Sequence, residues 1–250
     1  MSQAIVAGYC RAFRVDLSDV DPDLLASGFR RFDDFFTRTL REGARPVAQG
    51  EELVVSPADG YLREVTAIDD GHEVIAKDHR YKISELLADG ESKWSSRFVG
   101  GTSIVVYLHP RDYHRVHCPT GGEVVHTAAV PGRLLPVTDA SLARNAGLFA
   151  RNERLVHLLE TPRGPVAVVM VAAFGVGHMS TSYADVAVHP EKIVSIDHEP
   201  GIARRAGEEL GIFHLGSTVV LLLGPGQVSH LRDPGPVRMG EGLVRWGHSK

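Results

Sequence analysis

The sequence holds only two cysteines, Cys10 and Cys118, in 250 residues. That is too few for a disulfide framework and fits a reducing compartment. No stretch approaches the roughly 18 to 20 consecutive apolar residues of a membrane-spanning helix. The longest apolar run, residues 166–177, carries glycines and reads as a buried strand. The first residues lack the basic region, apolar core and small-residue cleavage site of a secretory signal. There is no glycine-rich nucleotide loop, and no phosphate cradle with a lysine for pyridoxal phosphate. A global basic field is also missing: the formal net charge is −4, so nothing points to nucleic acid. These absences lead us to expect a cytoplasmic protein whose membrane contact is peripheral.

What is present suffices for a real core: 43% of residues are apolar and 23% charged. Residues 1–45 read as a small helical layer. Apolar residues at 5, 6, 9, 10 and 13 have near-helical spacing. Asp21-Pro22 looks like an N-cap followed by proline at the first helical position, starting a helix to about Ser27. Phe32–Leu40 predicts a second amphipathic helix. Arg30, Arg31, Arg38, Arg41 and Arg45 cluster here, either as a solvated face or as a patch for anionic lipid.

From residue 46 to 250 the texture is β-rich. Short β-branched runs between Gly, Pro and Asp predict strands at Leu53–Val55, Tyr61–Thr66, Ser103–Leu108, Glu123–Ala129, Leu155–Leu159, Val166–Ala173, Ile193–Ile196 and Thr218–Leu223. Ser84–Ala88 and Ala140–Asn145 read as helical inserts. Pro57–Leu62 and Pro119–Val124 share a proline, a glycine three residues on, and then a strand. That echo suggests paired hairpin units of the barrel-sandwich kind. The expected class is α+β: one catalytic domain, residues 1–250, with a β-rich body under the helical layer.

Four segments could carry chemistry. Asp59, between Pro57-Ala58 and Gly60, has the setting of a turn acid. Residues 109–119 place His109, His114, His117 and Cys118 within ten positions. A metal site on His114 and His117, with His109 or Cys118 as third ligand, is one reading. A catalytic histidine pair and plain loop histidines are the others. Leu215-Gly216-Ser217-Thr218 runs into an apolar strand and reads as a turn; it is not the hydrolase nucleophile elbow. Leu148–Arg154 has mixed charge and no evident chemistry. An Asp, a His and a Ser this far apart are compatible with a triad assembled by the fold.

These segments, in this order, resemble those of the phosphatidylserine decarboxylases, pyruvoyl-dependent enzymes of phospholipid synthesis. The likeness rests on Phe35-Phe36-Thr37-Arg38 with Arg45-Pro46, on Pro57-Ala58-Asp59-Gly60, and on Pro110–His117 with Pro119. It continues through Val130-Pro131-Gly132, Leu148–Arg154 and Leu215-Gly216-Ser217-Thr218, spanning residues 12–228.

The resemblance implies self-cleavage between Gly216 and Ser217, giving chains 1–216 and 217–250. Ser217 would become a covalent pyruvoyl group that decarboxylates phosphatidylserine to phosphatidylethanolamine. By the same resemblance His117 is the general base for the cut, Asp59 orients it, and His114 handles the substrate and its proton. No metal is implied. The partners implied are a phospholipid substrate, the cytoplasmic face of the membrane, and a second copy in a homodimer of processed protomers. The sequence departs from the family pattern in its shorter N-terminal segment and in Ala173–Met179, where His178 is read as structural. Cys118 stands where relatives often have methionine, and no nucleophilic role is expected for it. The rival readings are a serine hydrolase using the same Ser-His-Asp set, a metal hydrolase on the three histidines, and an unprocessed binding protein.

Overall fold

The computed structural model describes residues 2–69, 73–76, 79–90, 93–174, 178–214 and 217–247. The N-terminal layer is three helices: α1 (Ser2–Phe13), α2 (Pro22–Ser27) and α3 (Phe32–Phe36). Asp21 caps α2 as its sequence predicts. One carboxylate oxygen accepts the amides of Asp23 at 2.9 Å and Leu24 at 3.1 Å, satisfying donors that a helix start leaves unpaired.

The helix expected over Phe32–Leu40 ends instead at Phe36. The Thr37 hydroxyl donates to the Asp33 carbonyl at 2.8 Å. Beyond it the chain turns extended: Leu40 bridges Val20, and the Asp21 amide donates to the Thr39 carbonyl at 3.0 Å. A strand-like tie to the α1–α2 connection replaces the last helical turn. The layer has its own core of Val6, Val20, Phe29, Phe35 and Phe36, with Tyr9 edge-on to Phe32 and Phe35.

The body begins with β1 (Leu53–Val55), β2 (Gly60–Ala67), the hairpin β3–β4 (Glu73–Ala76, His79–Lys82) and α4 (Ile83–Leu87). It continues through β5 (Thr102–Leu108), β6 (Arg115–His117), β7 (Gly122–Val130), α5 (Asp139–Arg144) and α6 (Leu148–Arg151). Then come β8 (Arg154–Thr161), β9 (Gly164–Ala172), β10 (Met179–Thr181), β11 (Val194–Arg204) and β12 (Glu209–Phe213). The chain closes with β13 (Ser217–Leu223), β14 (Val228–His230), β15 (Gly235–Val237) and β16 (Gly242–Trp246). Each run read as a strand forms one, although Ile193–Ile196 covers only the start of the 11-residue β11.

An eight-stranded sheet, ordered β11-β7-β8-β9-β13-β5-β2-β15, is the frame. β13 lies inside it, antiparallel to β5 on one side and β9 on the other. Val219 to Leu223 are all essentially buried, which is why this strand reads as an unbroken apolar run rather than an alternation. A second, three-stranded sheet, β10-β12-β6, carries the histidine block. The sequence echo also has a physical basis. Gly60 and Gly122 open β2 and β7, and a Cβ at either would lie 2.3 Å from the Tyr107 carbonyl or 2.5 Å from the Glu160 carbonyl. Only glycine lets those strand starts sit against their neighbours.

Candidate functional site

Ser217 opens β13, in register with Leu108 of β5 and Ala172 of β9. Gly216 lies outside the described residues. Ala172 is also tied from the Leu148–Arg154 segment: its carbonyl accepts Asn152 Nδ2 at 2.8 Å, and its amide donates to the Glu153 carbonyl at 2.9 Å. The segment that showed no chemistry thus fixes the strand beside Ser217. Arg154, buried, spends its guanidinium on backbone carbonyls of Leu86, Ala150 and Asn152.

The histidine block arrives along β6. His117 pairs with Glu209 of β12, and three residues earlier the His114 carbonyl accepts the Phe213 amide at 3.0 Å. Thus β12 runs past both histidines on its way to residue 217.

His114 has no exposed surface. Its Nδ1–H donates to the Asp112 carbonyl at 2.9 Å, which leaves Nε2 as the lone-pair nitrogen. Nε2 is buried without a partner, and Phe36 covers the ring at 4.1 Å between centroids. Burial drives the pKa of His114 down to about 3, so the ring is neutral.

His117 is held at both nitrogens. Nδ1–H donates to the Gly207 carbonyl at 2.9 Å, and Nε2 accepts the Tyr113 hydroxyl at 3.0 Å. Burial lowers its pKa; the Gly207 carbonyl and the nearby charges of Glu209 and Asp59 act in the opposite direction.

Asp59 does not make the contact expected of an orienting acid. Its carboxylate takes Arg45 Nε at 2.8 Å, Arg45 Nη2 at 2.6 Å and the Met239 amide at 2.9 Å. The Gly207 carbonyl sits where an orienting carboxylate would. Arg45 outcompetes a neutral imidazole for Asp59 because its fork is permanently charged and bidentate. The segments do meet through the backbone, where the His117 amide donates to the Pro57 carbonyl at 2.7 Å. Asp59 therefore reaches His117 through space, favouring its protonated form.

Sequence reading missed a second polar chain here. His214 Nδ1–H donates to both Asp33 oxygens, at 2.8 and 3.0 Å, and Nε2 accepts the Ser180 hydroxyl at 3.2 Å. His178 stacks on His214 at 3.7 Å, and its carbonyl accepts the His214 amide at 3.0 Å. The relay pins the end of β12 to α3. Its only sequence signal was the position of His214 directly before Leu215-Gly216; Asp33 is 181 residues away and gave none.

Cys118 is buried with its thiol donating to the Thr120 carbonyl at 3.0 Å, and burial pushes its pKa up to about 12. A reactive thiolate is thereby suppressed. Among the described residues no group of three His, Cys, Asp or Glu is placed to hold a metal ion.

The buried histidines make stability acid-sensitive. His114 and His157 both have pKa values lowered to about 3, chiefly by burial. In the unfolded chain they titrate near ~6.5, so between these values the unfolded state binds more protons and stability is lost as the pH drops. Each histidine contributes a slope of up to ~1.4 kcal/mol per pH unit. Urea unfolding of an uncleaved Ser217→Ala chain should show a clear loss between pH 7 and pH 5. A midpoint that does not change across that range would contradict neutral burial of the two rings.

Comparison with known proteins places the chain. A family model described as phosphatidylserine decarboxylase matches residues 32–245. A phosphatidylserine decarboxylase proenzyme of Pseudomonas aeruginosa is 41% identical over 248 residues, covering 96% of this chain and 85% of that protein. One from Anaeromyxobacter is 42% identical, covering 96% of this chain and 86% of its own. One from Ectopseudomonas mendocina is 37% identical over 249 residues, at the same two coverages. With nearly the whole chain aligned and the histidine and Leu-Gly-Ser-Thr segments inside the match, this protein belongs to the phosphatidylserine decarboxylase family.

Proposed function

We propose that the chain cleaves itself between Gly216 and Ser217, converts Ser217 into a pyruvoyl group, and decarboxylates phosphatidylserine to phosphatidylethanolamine. What supports this reading is membership of the phosphatidylserine decarboxylase family, together with Ser217 standing at the first position of β13 and His114 and His117 lying buried at either end of β6.

Cleavage begins when Ser217 Oγ attacks the Gly216 carbonyl. A serine hydroxyl needs a base to take its proton. His117 suits that role, because the Gly207 carbonyl fixes the proton on Nδ1 and leaves Nε2 basic. Tyr113 must yield Nε2 for this step. Asp59 stabilises the imidazolium at a distance. The ester so formed loses the Gly216 carboxylate by β-elimination, and hydrolysis of the resulting dehydroalanine releases ammonia.

The pyruvoyl group supplies an electron sink for the carbanion left when carbon dioxide departs. His114 Nε2 fits its surroundings: a buried, unpartnered lone pair on a ring held neutral. It can take the proton of the substrate ammonium and return it to the α-carbon. Phe36 keeps water from the ring.

Peripheral contact with the cytoplasmic face of the membrane belongs to the same reading. It is supported by Ile5 and Phe13 of α1, which are 53% and 36% exposed, beside the basic residues of the helical layer. A homodimer of processed protomers follows from the family resemblance.

Intact mass of the active preparation is the test. It should give two chains, 1–216 and 217–250, the second blocked at its N-terminus by a pyruvoyl group. An active preparation containing only an unmodified 250-residue chain would sink the proposal.

A further inference from the structure

His214 is the third residue before Ser217. β12 ends one residue earlier, at Phe213, so His214 has already left the strand. Side chain and backbone both hold it there. Nδ1–H donates to the Asp33 carboxylate at 2.8 and 3.0 Å, and Nε2 accepts the Ser180 hydroxyl at 3.2 Å. The amide donates to the His178 carbonyl at 3.0 Å, and the His178 ring stacks on the imidazole. On the far side of the bond proposed to break, Ser217 is set by its register with Leu108 and Ala172. Three residues of chain span at most ~11 Å. With His214 and Ser217 both held and two residues between them, a shift at His214 passes directly to the Gly216–Ser217 peptide.

The partner that holds the imidazole belongs to neither sheet. Asp33 lies in α3, and α3 is itself fixed to the histidine block. The Thr37 carbonyl at its end accepts Arg115 Nε at 2.9 Å, and Phe36 covers the His114 ring. As a stabiliser of the fold the Asp33–His214 tie is weak. The Asp33 side chain is 48% exposed, and a single solvated pair contributes little to folding. Its leverage is geometric. A hydroxyl attacking the preceding carbonyl must come within about 3 to 3.5 Å, and a misplacement of ~1 Å can cost on the order of 10²-fold in rate.

We infer that Asp33 and His214 are positioning residues for the self-cleavage: they hold the chain upstream of Gly216 so that the Ser217 hydroxyl meets the Gly216 carbonyl. They act through the backbone, and His117 remains the base. The inference rests on the self-cleavage reading and deepens it, because it makes the cut depend on a residue of the helical layer.

The full chain is made by cell-free synthesis, and the appearance of residues 1–216 and 217–250 is timed on a gel. Asp33→Ala and His214→Gln should each slow the cut by about 10- to 100-fold. The double variant should be no slower than either, since one contact is lost in all three. His214→Asn should recover most of the rate. Its amide stands where Nδ1–H stood and still donates to Asp33, whereas the glutamine amide reaches the Nε2 position instead. In the uncleaved Ser217→Ala background the urea midpoints of Asp33→Ala and His214→Gln should stay near that of the parent. Equal slowing in His214→Asn and His214→Gln overturns the inference, because the Asp33 contact would then not matter. Hydroxylamine, which cleaves an ester and not a peptide, should release no fragments from the slowed variants; release would move the defect past the serine attack and overturn it too. Labelling of Ser180 by a fluorophosphonate also overturns it, since Asp33 and His214 would then be activating a second nucleophile. A parent that cuts, with Asp33→Ala and His214→Gln cutting at its rate, refutes the tie alone. A parent that never cuts refutes the self-cleavage reading and the inference with it.

Discussion

A His117→Ala chain should accumulate at full length, as a Ser217→Ala chain should, with self-cleavage slowed by roughly 10²- to 10⁴-fold. The loss follows from His117 Nε2 being the basic nitrogen, a state set by the Gly207 carbonyl on Nδ1. Asp59 should behave differently. Because Arg45 and the Met239 amide hold its carboxylate, it acts on His117 only through space. Asp59→Asn preserves the shape and removes the charge, so cleavage should slow by about tenfold rather than stop. Asp59→Ala is a poorer probe. It strands the half-buried Arg45 guanidinium and destabilises the fold for reasons unrelated to the cut. Tyr113→Phe removes the hydroxyl from Nε2 and should leave cleavage intact or faster. The rate at which residues 1–216 and 217–250 appear on a gel separates these cases. Normal processing by His117→Ala would remove it as the base. Equal arrest in Asp59→Asn and His117→Ala would mean that Asp59 leaves Arg45 and takes up direct contact with the ring.

The long strands of the body were legible because β-branched runs dominate them, as in β13 and β9. β3, β4, β6, β10, β12, β14, β15 and β16 were not: they run three to five residues and lack the unbroken apolar, β-branched stretch that marks the equally short Leu53–Val55. The end of α3 was misread because apolar spacing continues to Leu40, while a tertiary bridge from Val20 decides the conformation there. At the site, the identities of Asp59, His114 and His117 came from motif order, which says nothing about hydrogen-bond partners. Arg45 stood in the sequence as part of an arginine-rich stretch, and only the fold reveals that it occupies Asp59. Asp33 and His214 meet across 181 positions, beyond any local pattern. His178, for which the sequence suggests a structural role, stacks on His214.

Replacing His114 should separate the two chemistries. A His114→Ala chain should still cut itself, because the proposed mechanism gives the cut to Nε2 of His117 and not of His114. Decarboxylation should then fall by roughly 10²- to 10⁴-fold, the usual worth of a positioned proton carrier. Carbon dioxide released per processed chain is the measurement, with processing scored by intact mass. A cavity left beside Phe36 could lower stability as well, so the comparison needs His114→Gln, which is nearer in volume and cannot carry a proton near neutrality. If the loss is chemical, both variants are processed and both are inactive. If His114 only packs against Phe36, His114→Gln recovers most of the activity. The pH profile adds a readout that packing would not move. A ring buried to a pKa of about 3 stays competent as an acceptor throughout the neutral range. Activity limited by that ring should therefore show no acid limb near ~6.5, the ordinary histidine value. A limb at that position would place the critical proton on a solvated group and take the role away from His114.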